Sequence, residues 1–301
     1  MALLNPIFLK SLVAIGEINK RKKFSCSATG FLIGFIAKNS KHSENRKYWV
    51  FLVTNKHVFE DRKYVDLRFN RKDGNAEIFR QPLFFENSQE KRWLAHRNRL
   101  VDLALLNVTP KILEDHQVDY FFFNQEMFAY YKDFRKIGIE TGDNIYVLGF
   151  PLGLAGKAQN FPCVKWGIIS RIDKEVIKRD KSFWIDSAIF PGNSGGPALL
   201  RPTIHSLTGT KAVSQAYLLG VVSGYIPYEE RLYTFQTKPP SVVSLERENS
   251  GLSFVVPMDF VRQIFRNWRE QRKKLEKTLK QKQQIQKELE KPKEEVNKGQ
   301  K

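Results

Sequence analysis

Pro191-Gly192-Asn193-Ser194-Gly195-Gly196-Pro197 is the stretch on which the reading of this chain turns. A nucleophilic serine needs an exposed hydroxyl and backbone N–H groups aimed at the oxyanion that develops during attack. Gly192 supplies backbone angles closed to other residues. Gly195 and Gly196 let substrate and neighbouring strands come close. The expected oxyanion hole is Gly192-Asn193-Ser194, with the N–H groups of Gly192 and Ser194 as donors. Taken alone, the run is also compatible with a plain glycine-rich turn between strands.

Two upstream segments change that balance. Thr54-Asn55-Lys56-His57-Val58 follows the apolar run Tyr48-Trp49-Val50-Phe51-Leu52-Val53. A histidine just past such a strand sits at a strand end, where a base can face a cleft. Its ordinary pKa near ~6.5 suits proton transfer at neutral pH. Asp102 opens Asp102-Leu103-Ala104-Leu105-Leu106. An acid at the mouth of a buried strand can bind an imidazole N–H, fix the tautomer and stabilise the imidazolium. The candidate constellation is therefore Ser194 as nucleophile, His57 as general base and Asp102 as orienting acid. It needs no cofactor and no metal.

The rest of the chain supplies a matching texture. Phe31 to Ile36 and Tyr48 to Val53 are short apolar runs around a charged segment, Lys38 to Lys47, suited to a hairpin loop. Val65-Asp66-Leu67-Arg68-Phe69 alternates with period two, and Arg71 to Asn75 signals a turn. Pro110 to Lys136 is aromatic-rich and is expected to connect two halves, partly as helix. Strands resume at Asn144 to Phe150 and continue at Val164–Ile172, Phe183–Ile189, Ala198–Leu200, Tyr217–Val222 and Leu252–Val256. Arg201 to Ser214 and Tyr225 to Gly251 read as loops or hairpin extensions. Many short strands with almost no amphipathic helix among them argue for all-β barrels or a sandwich.

After Pro257 the pattern changes. Phe260, Val261, Ile264, Phe265 and Trp268 recur at helical spacing, which predicts a helix packed on the body. Beyond Trp268 the chain is rich in Lys, Glu and Gln. Leu275, Leu279, Ile285 and Leu289 do not hold a heptad, so a solvated helix is expected in place of a coiled coil. Pro292 to Lys301 is expected to be disordered.

Composition sets outer bounds. The 301 residues carry 50 Lys and Arg against 32 Asp and Glu, a formal charge of +18, which favours acidic partners without specifying a fold. Asp259 to Lys301 holds 14 basic and 7 acidic residues. Nucleic acid or another acidic partner on this basic tail is therefore an expected accessory property, although no nucleic-acid motif is present. With two cysteines, Cys26 and Cys163, the reduced state is expected. No signal peptide is read at the N-terminus, and no window reaches the ~18 apolar residues of a membrane span. The expected location is the cytoplasm.

Thr-Asn-Lys-His-Val, Asp-Leu-Ala-Leu-Leu and Gly-Asn-Ser-Gly-Gly-Pro, in that order, resemble the chymotrypsin-fold serine peptidases, closest to HtrA/Deg-like and related bacterial trypsin-like enzymes. Thr29 to Ile33, Gly142 to Gly153, Gly167 to Ser170, Asp186 to Ile189, Gly220 to Gly224 and Gly251 to Pro257 extend the likeness across about Leu12 to Phe265. The resemblance implies two six-stranded antiparallel β-barrels with the triad between them, followed by a C-terminal helix. The corresponding divisions are residues 1–136 for the first barrel and its connection, 137–258 for the second barrel, and 259–301 for helix and tail. It implies a serine endopeptidase acting on protein or peptide substrates. A protease-like scaffold without catalysis is the alternative.

Departures from the family pattern sharpen the subtype. Asn193 stands where secreted trypsins carry an aspartate that pairs with a freed N-terminus, so activation by that ion pair is not expected. Val58 replaces a cysteine of the secreted relatives. Nothing after Pro257 has the length of the PDZ domain found in HtrA proteins. Ala188 occupies the position that is acidic in trypsin-like specificity, and Ser223, Gly224 and Tyr225 are expected to form the pocket wall. A small or medium apolar residue before the scissile bond is the expected preference.

Overall fold

A computed structural model describes residues 4–38, 46–203, 208–234 and 241–289. The middle of the Lys38–Lys47 segment and the tail after Leu289 lie outside these residues, as do the side chains of Ile285 and Leu289. Among the described residues no helix is long and apolar enough to cross a membrane.

The N-terminal half contains β1 (Leu12–Ile18), β2 (Phe24–Lys38), β3 (Lys47–Thr54), β4 (Tyr64–Asn70), β5 (Ala76–Pro82), β6 (Trp93–Ala95), β7 (Ala104–Val108) and β8 (Phe123–Asn124). They form an eight-stranded sheet in the order β5-β4-β1-β2-β3-β7-β6, with β8 added to β2. The first half therefore has more than the six expected strands, its described path is open, and β8 lies parallel to β2. The second half is a closed six-stranded barrel of β9 (Asn144–Gly149), β10 (Cys163–Arg171), β11 (Phe183–Asp186), β12 (Pro197–Leu200), β13 (Leu218–Thr234) and β14 (Ser241–Pro257). The all-β, two-barrel architecture with a terminal helix holds.

The apolar runs of the first half are continuous because both strand faces are buried. Val13, Ile15, Leu32, Val50, Leu52, Ala104 and Leu106 share a core inside that half. Their alternating neighbours Leu12, Ala14, Phe31, Ile33, Phe51, Val53 and Leu105 join a second core. That second core also takes Leu148, Phe150, Leu199 and Val221 from the barrel and Val261 and Ile264 from the terminal helix. Period-two alternation thus sorts one set of strands between two cores. The barrel interior holds Ile145, Val147, Ile169, Phe183, Ile185 and Val255.

Short helices occupy the connection: α1 (Pro110–Asp115) and α2 (Phe134–Ile137). A third, α3 (Lys174–Asp180), interrupts the barrel strands and is not expected from the sequence pattern. Its start is set by Asp173, whose carboxylate accepts the Val176 N–H at 3.0 Å. The terminal helix α4 (Met258–Leu289) docks as its spacing predicts. Phe265 stacks on Phe35 at 3.8 Å, and Trp268 meets Phe51 edge-on at 5.1 Å. Truncating Phe265 would cost about 3–5 kcal/mol by the usual cavity cost of a buried aromatic.

Candidate active site

β3 ends at Thr54, and a 3-10 turn over Lys56–Val58 carries His57 out of the sheet. The turn is held from both sides. Thr54 Oγ1 donates to Thr29 O at 2.8 Å, and buried Asn55 donates from Nδ2 to Asp102 O at 2.9 Å. Asp102 lies just before β7, between Val101 and Leu103, which are both fully buried. Its carboxylate grips His57 twice. Oδ1 accepts the His57 backbone N–H at 3.1 Å, and Oδ2 lies 2.7 Å from His57 Nδ1. That geometry assigns the ring proton to Nδ1 and leaves Nε2 as a base.

Ser194 is positioned by a loop that ties the two halves together. The Thr29 N–H donates to Ser194 O at 2.9 Å, and the Gly195 N–H donates to Val222 O at 2.8 Å. Gly195 has φ +86°, and a methyl group there would drive into Thr29 O and Thr54 Oγ1. Gly192 has φ +97° and backs onto the Phe150 carbonyl in the same way. Only glycine satisfies both the angle and the space at these positions. His57, Gly192 and Ser194 line one cavity of about 410 Å³.

The orientation of the Gly192 peptide follows from its fixed carbonyls. Pro191 O accepts the Leu152 N–H at 2.6 Å. In a trans peptide the next N–H points the opposite way, so the Gly192 N–H faces away from Leu152. Among the described residues, the N–H groups of Gly192 and Ser194 have no protein partner. Asn193 lies between the two expected donors and is not one of them. Its N–H donates to Phe190 O at 3.0 Å, so it is not a free oxyanion donor. Its side chain, fully buried, closes the loop by accepting the Phe190 N–H on Oδ1 at 3.2 Å.

The expected pocket residues divide. Gly224 and Tyr225 line the cavity with His57 and Ser194, whereas Ala188 and Ser223 are not on its lining. Ile189 and Phe190 supply the wall that Ala188 does not. Arg62 is also on the lining and is paired with Glu17 at 3.1 Å. Behind the wall, Lys165 donates from Nζ to Ala188 O and sits 4.5 Å from the Phe190 ring. Burial lowers the Lys165 pKa. Thr29 and Lys165 carry no local sequence signal for these placements, since each reaches the site from a distant strand, whereas Arg62 follows His57 by five residues. Ile189 and Phe190 were accessible to sequence reasoning as neighbours of the serine loop.

A family model described as a trypsin-like peptidase domain matches residues 28–202. The match runs from within β2 through β12 and includes His57, Asp102 and Ser194. No curated protein matches the chain.

Proposed function

We propose that this chain, which belongs to the family of trypsin-like peptidase domains, is a serine endopeptidase in which Ser194, His57 and Asp102 carry the chemistry. The observation that carries this reading is the two-point grip of Asp102 on His57, at 3.1 and 2.7 Å, beside a cavity that also holds Ser194. In the proposed reaction Ser194 Oγ attacks the scissile carbonyl while His57 Nε2 takes its proton. Asp102 holds the ring and stabilises the imidazolium. The Gly192 and Ser194 N–H groups receive the oxyanion. His57 then protonates the leaving amine. Water, activated by the same base, hydrolyses the acyl-enzyme.

The proposed preference is a small or medium apolar residue before the scissile bond. Ile189, Phe190 and Tyr225 favour it, and no carboxylate lines the cavity among the described residues. Arg62 on the lining and Lys165 behind it disfavour Lys or Arg in the substrate. Past Val222, β13 is bonded only to β14 among the described strands, so its other edge is open to an extended substrate backbone.

A fluorophosphonate probe tests the reading. The folded protein is expected to be labelled on Ser194, and Ser194→Ala is expected to remain unlabelled. A folded wild-type protein that resists the probe would favour the non-catalytic scaffold. A peptide-library cleavage profile dominated by Lys or Arg before the cut would overturn the proposed specificity.

A further inference from the structure

The proposed chemistry leaves most of the chain's positive charge unused, and six of its cations lie along one face of α4. Between this helix and the first half of the molecule is a groove of about 480 Å³ lined by Lys132, Arg262, Arg266 and Arg269. None of these four cations forms an ion pair among the described residues. Cations nearby are neutralised: Arg46 meets Glu126 at 2.6 Å, and Arg272 meets Glu276 at 3.0 Å. Two acids lie near these cations, and Asp259 interacts electrostatically with Arg262. Asp133 is on its lining, and Asp259 accepts the Tyr131 N–H at 2.7 Å. Arg262 is also steadied over the Tyr130 ring at 4.6 Å.

The helix continues this charge outward. At about 100° per residue, Arg262, Arg266, Arg269, Lys273, Lys277 and Lys280 fall within roughly 60° of one line along the axis, a sector that also carries Asp259, Glu270 and Glu276, the last of them paired with Arg272. The line spans about 27 Å at ~1.5 Å per residue, with one cation at nearly every turn. Arg266, Arg269, Lys273, Lys277 and Lys280 are exposed. A regular row of cations complements a chain that carries an anion at each repeat. Arginine forks add bidentate recognition of phosphate oxygens. The recessed groove admits a strand where a flat bilayer could not follow. The large aromatics that would anchor a helix in lipid are already packed: Phe265 on Phe35, and Trp268 against Phe51 and Trp49.

We propose that the Arg262–Lys280 face of α4, together with the groove it forms with Lys132, binds the phosphodiester backbone of a nucleic acid. The contacts are to phosphates, so binding is indifferent to sequence and falls steeply with salt. The site is separate from the Ser194 cavity and does not depend on the peptidase reading.

The test is fluorescence anisotropy with labelled single-stranded and duplex oligonucleotides over a salt series, using the full chain. Arg266→Gln/Arg269→Gln is compared with wild type and with Lys274→Gln/Lys282→Gln, which alters the other side of the same helix by equal charge. The groove variant is expected to bind at least tenfold more weakly at ~0.1 M salt, and its duplex salt slope to shrink by about 2. The control variant is expected to stay within about threefold of wild type under that same salt dependence. Circular dichroism and fluorophosphonate labelling should be unchanged in both, because the substituted side chains are exposed. Equal losses in the two variants would overturn the proposal, as would an unchanged slope. Binding to phosphatidylserine vesicles without binding to either oligonucleotide would also overturn it.

Discussion

Thr29 Oγ1 donates to the Gly192 carbonyl at 2.6 Å and accepts the Phe150 N–H at 3.0 Å. One buried hydroxyl on β2 thereby holds both the proposed oxyanion loop and the segment behind it. Thr29→Val keeps the shape and removes the bonds. A stability loss of about 1–3 kcal/mol is expected from the buried partners left unmade. kcat for a peptide substrate should fall about tenfold with KM little changed, since loop orientation matters most in the transition state. Thr29→Ser should restore both. Urea unfolding with steady-state kinetics checks this, and an unaltered kcat in a destabilised Thr29→Val would remove the loop-positioning role.

Asp102→Asn is expected to leave the fold intact and to lower kcat by about 10⁴ at neutral pH, the scale seen when this acid is lost from a triad. The amide cannot accept from both the His57 ring and the His57 backbone as the carboxylate does at 2.7 and 3.1 Å. Fluorophosphonate labelling should slow in parallel. Labelling at the wild-type rate would show that Asp102 does not orient the base.

Acid should weaken the first half of the molecule through Asp66. Burial acts to raise its pKa, but Arg80 at 2.9 and 3.2 Å and the Ile18 N–H at 2.6 Å outweigh it. The net pKa lies below the ordinary carboxylate value. A depressed folded pKa means the stabilisation is present above the unfolded value near ~3.9 and is lost as pH falls through the folded value. Asp66→Asn is therefore expected to be less stable at neutral pH by on the order of 2 kcal/mol. That gap should narrow as the pH drops below ~4. Urea melts at several pH values measure it, and a gap independent of pH would contradict the assignment.

Cys26 should be chemically quiet. Burial pushes its thiol up to about 11, outweighing backbone hydrogen bonds at Ala28 and Ile15 and the nearby charge of Arg68. At pH 8 only about one molecule in a thousand would then hold a thiolate, the reactive form. Iodoacetamide is expected to spare Cys26 in the folded protein and to modify it after unfolding in urea, as read by peptide mass mapping. Rapid modification in the folded state would refute the burial argument.

Several parts of the fold were open to inspection from residue order alone. The buried runs Phe31–Ile36 and Tyr48–Val53 read as strands because both faces are apolar, and they lie within β2 and β3. The Phe265–Trp268 spacing announced a docked helix, because one turn brings such residues onto one stripe. α3 escaped because seven residues are too few to display a period, although Asp173 three residues before Val176 marks its cap. The division of strands between two cores was hidden as well: alternation names two faces but not what covers each.

By itself the sequence determined that Gly192 and Gly195 could adopt φ +97° and +86°, that His57 would leave a strand end, and that the second half would be rich in strands. Those features depend on each residue's own backbone freedom and near neighbours. Only the tertiary structure decided that Thr29 reaches Gly192 across 163 positions and that Asp102 meets the backbone N–H and Nδ1 of His57 across 45. It likewise brought Lys165 to Ala188 and Phe190, and gathered Lys132 with three arginines of α4. Strand register and the docking of two halves and a helix fix such pairings, and neither quantity is encoded by any short window of residues.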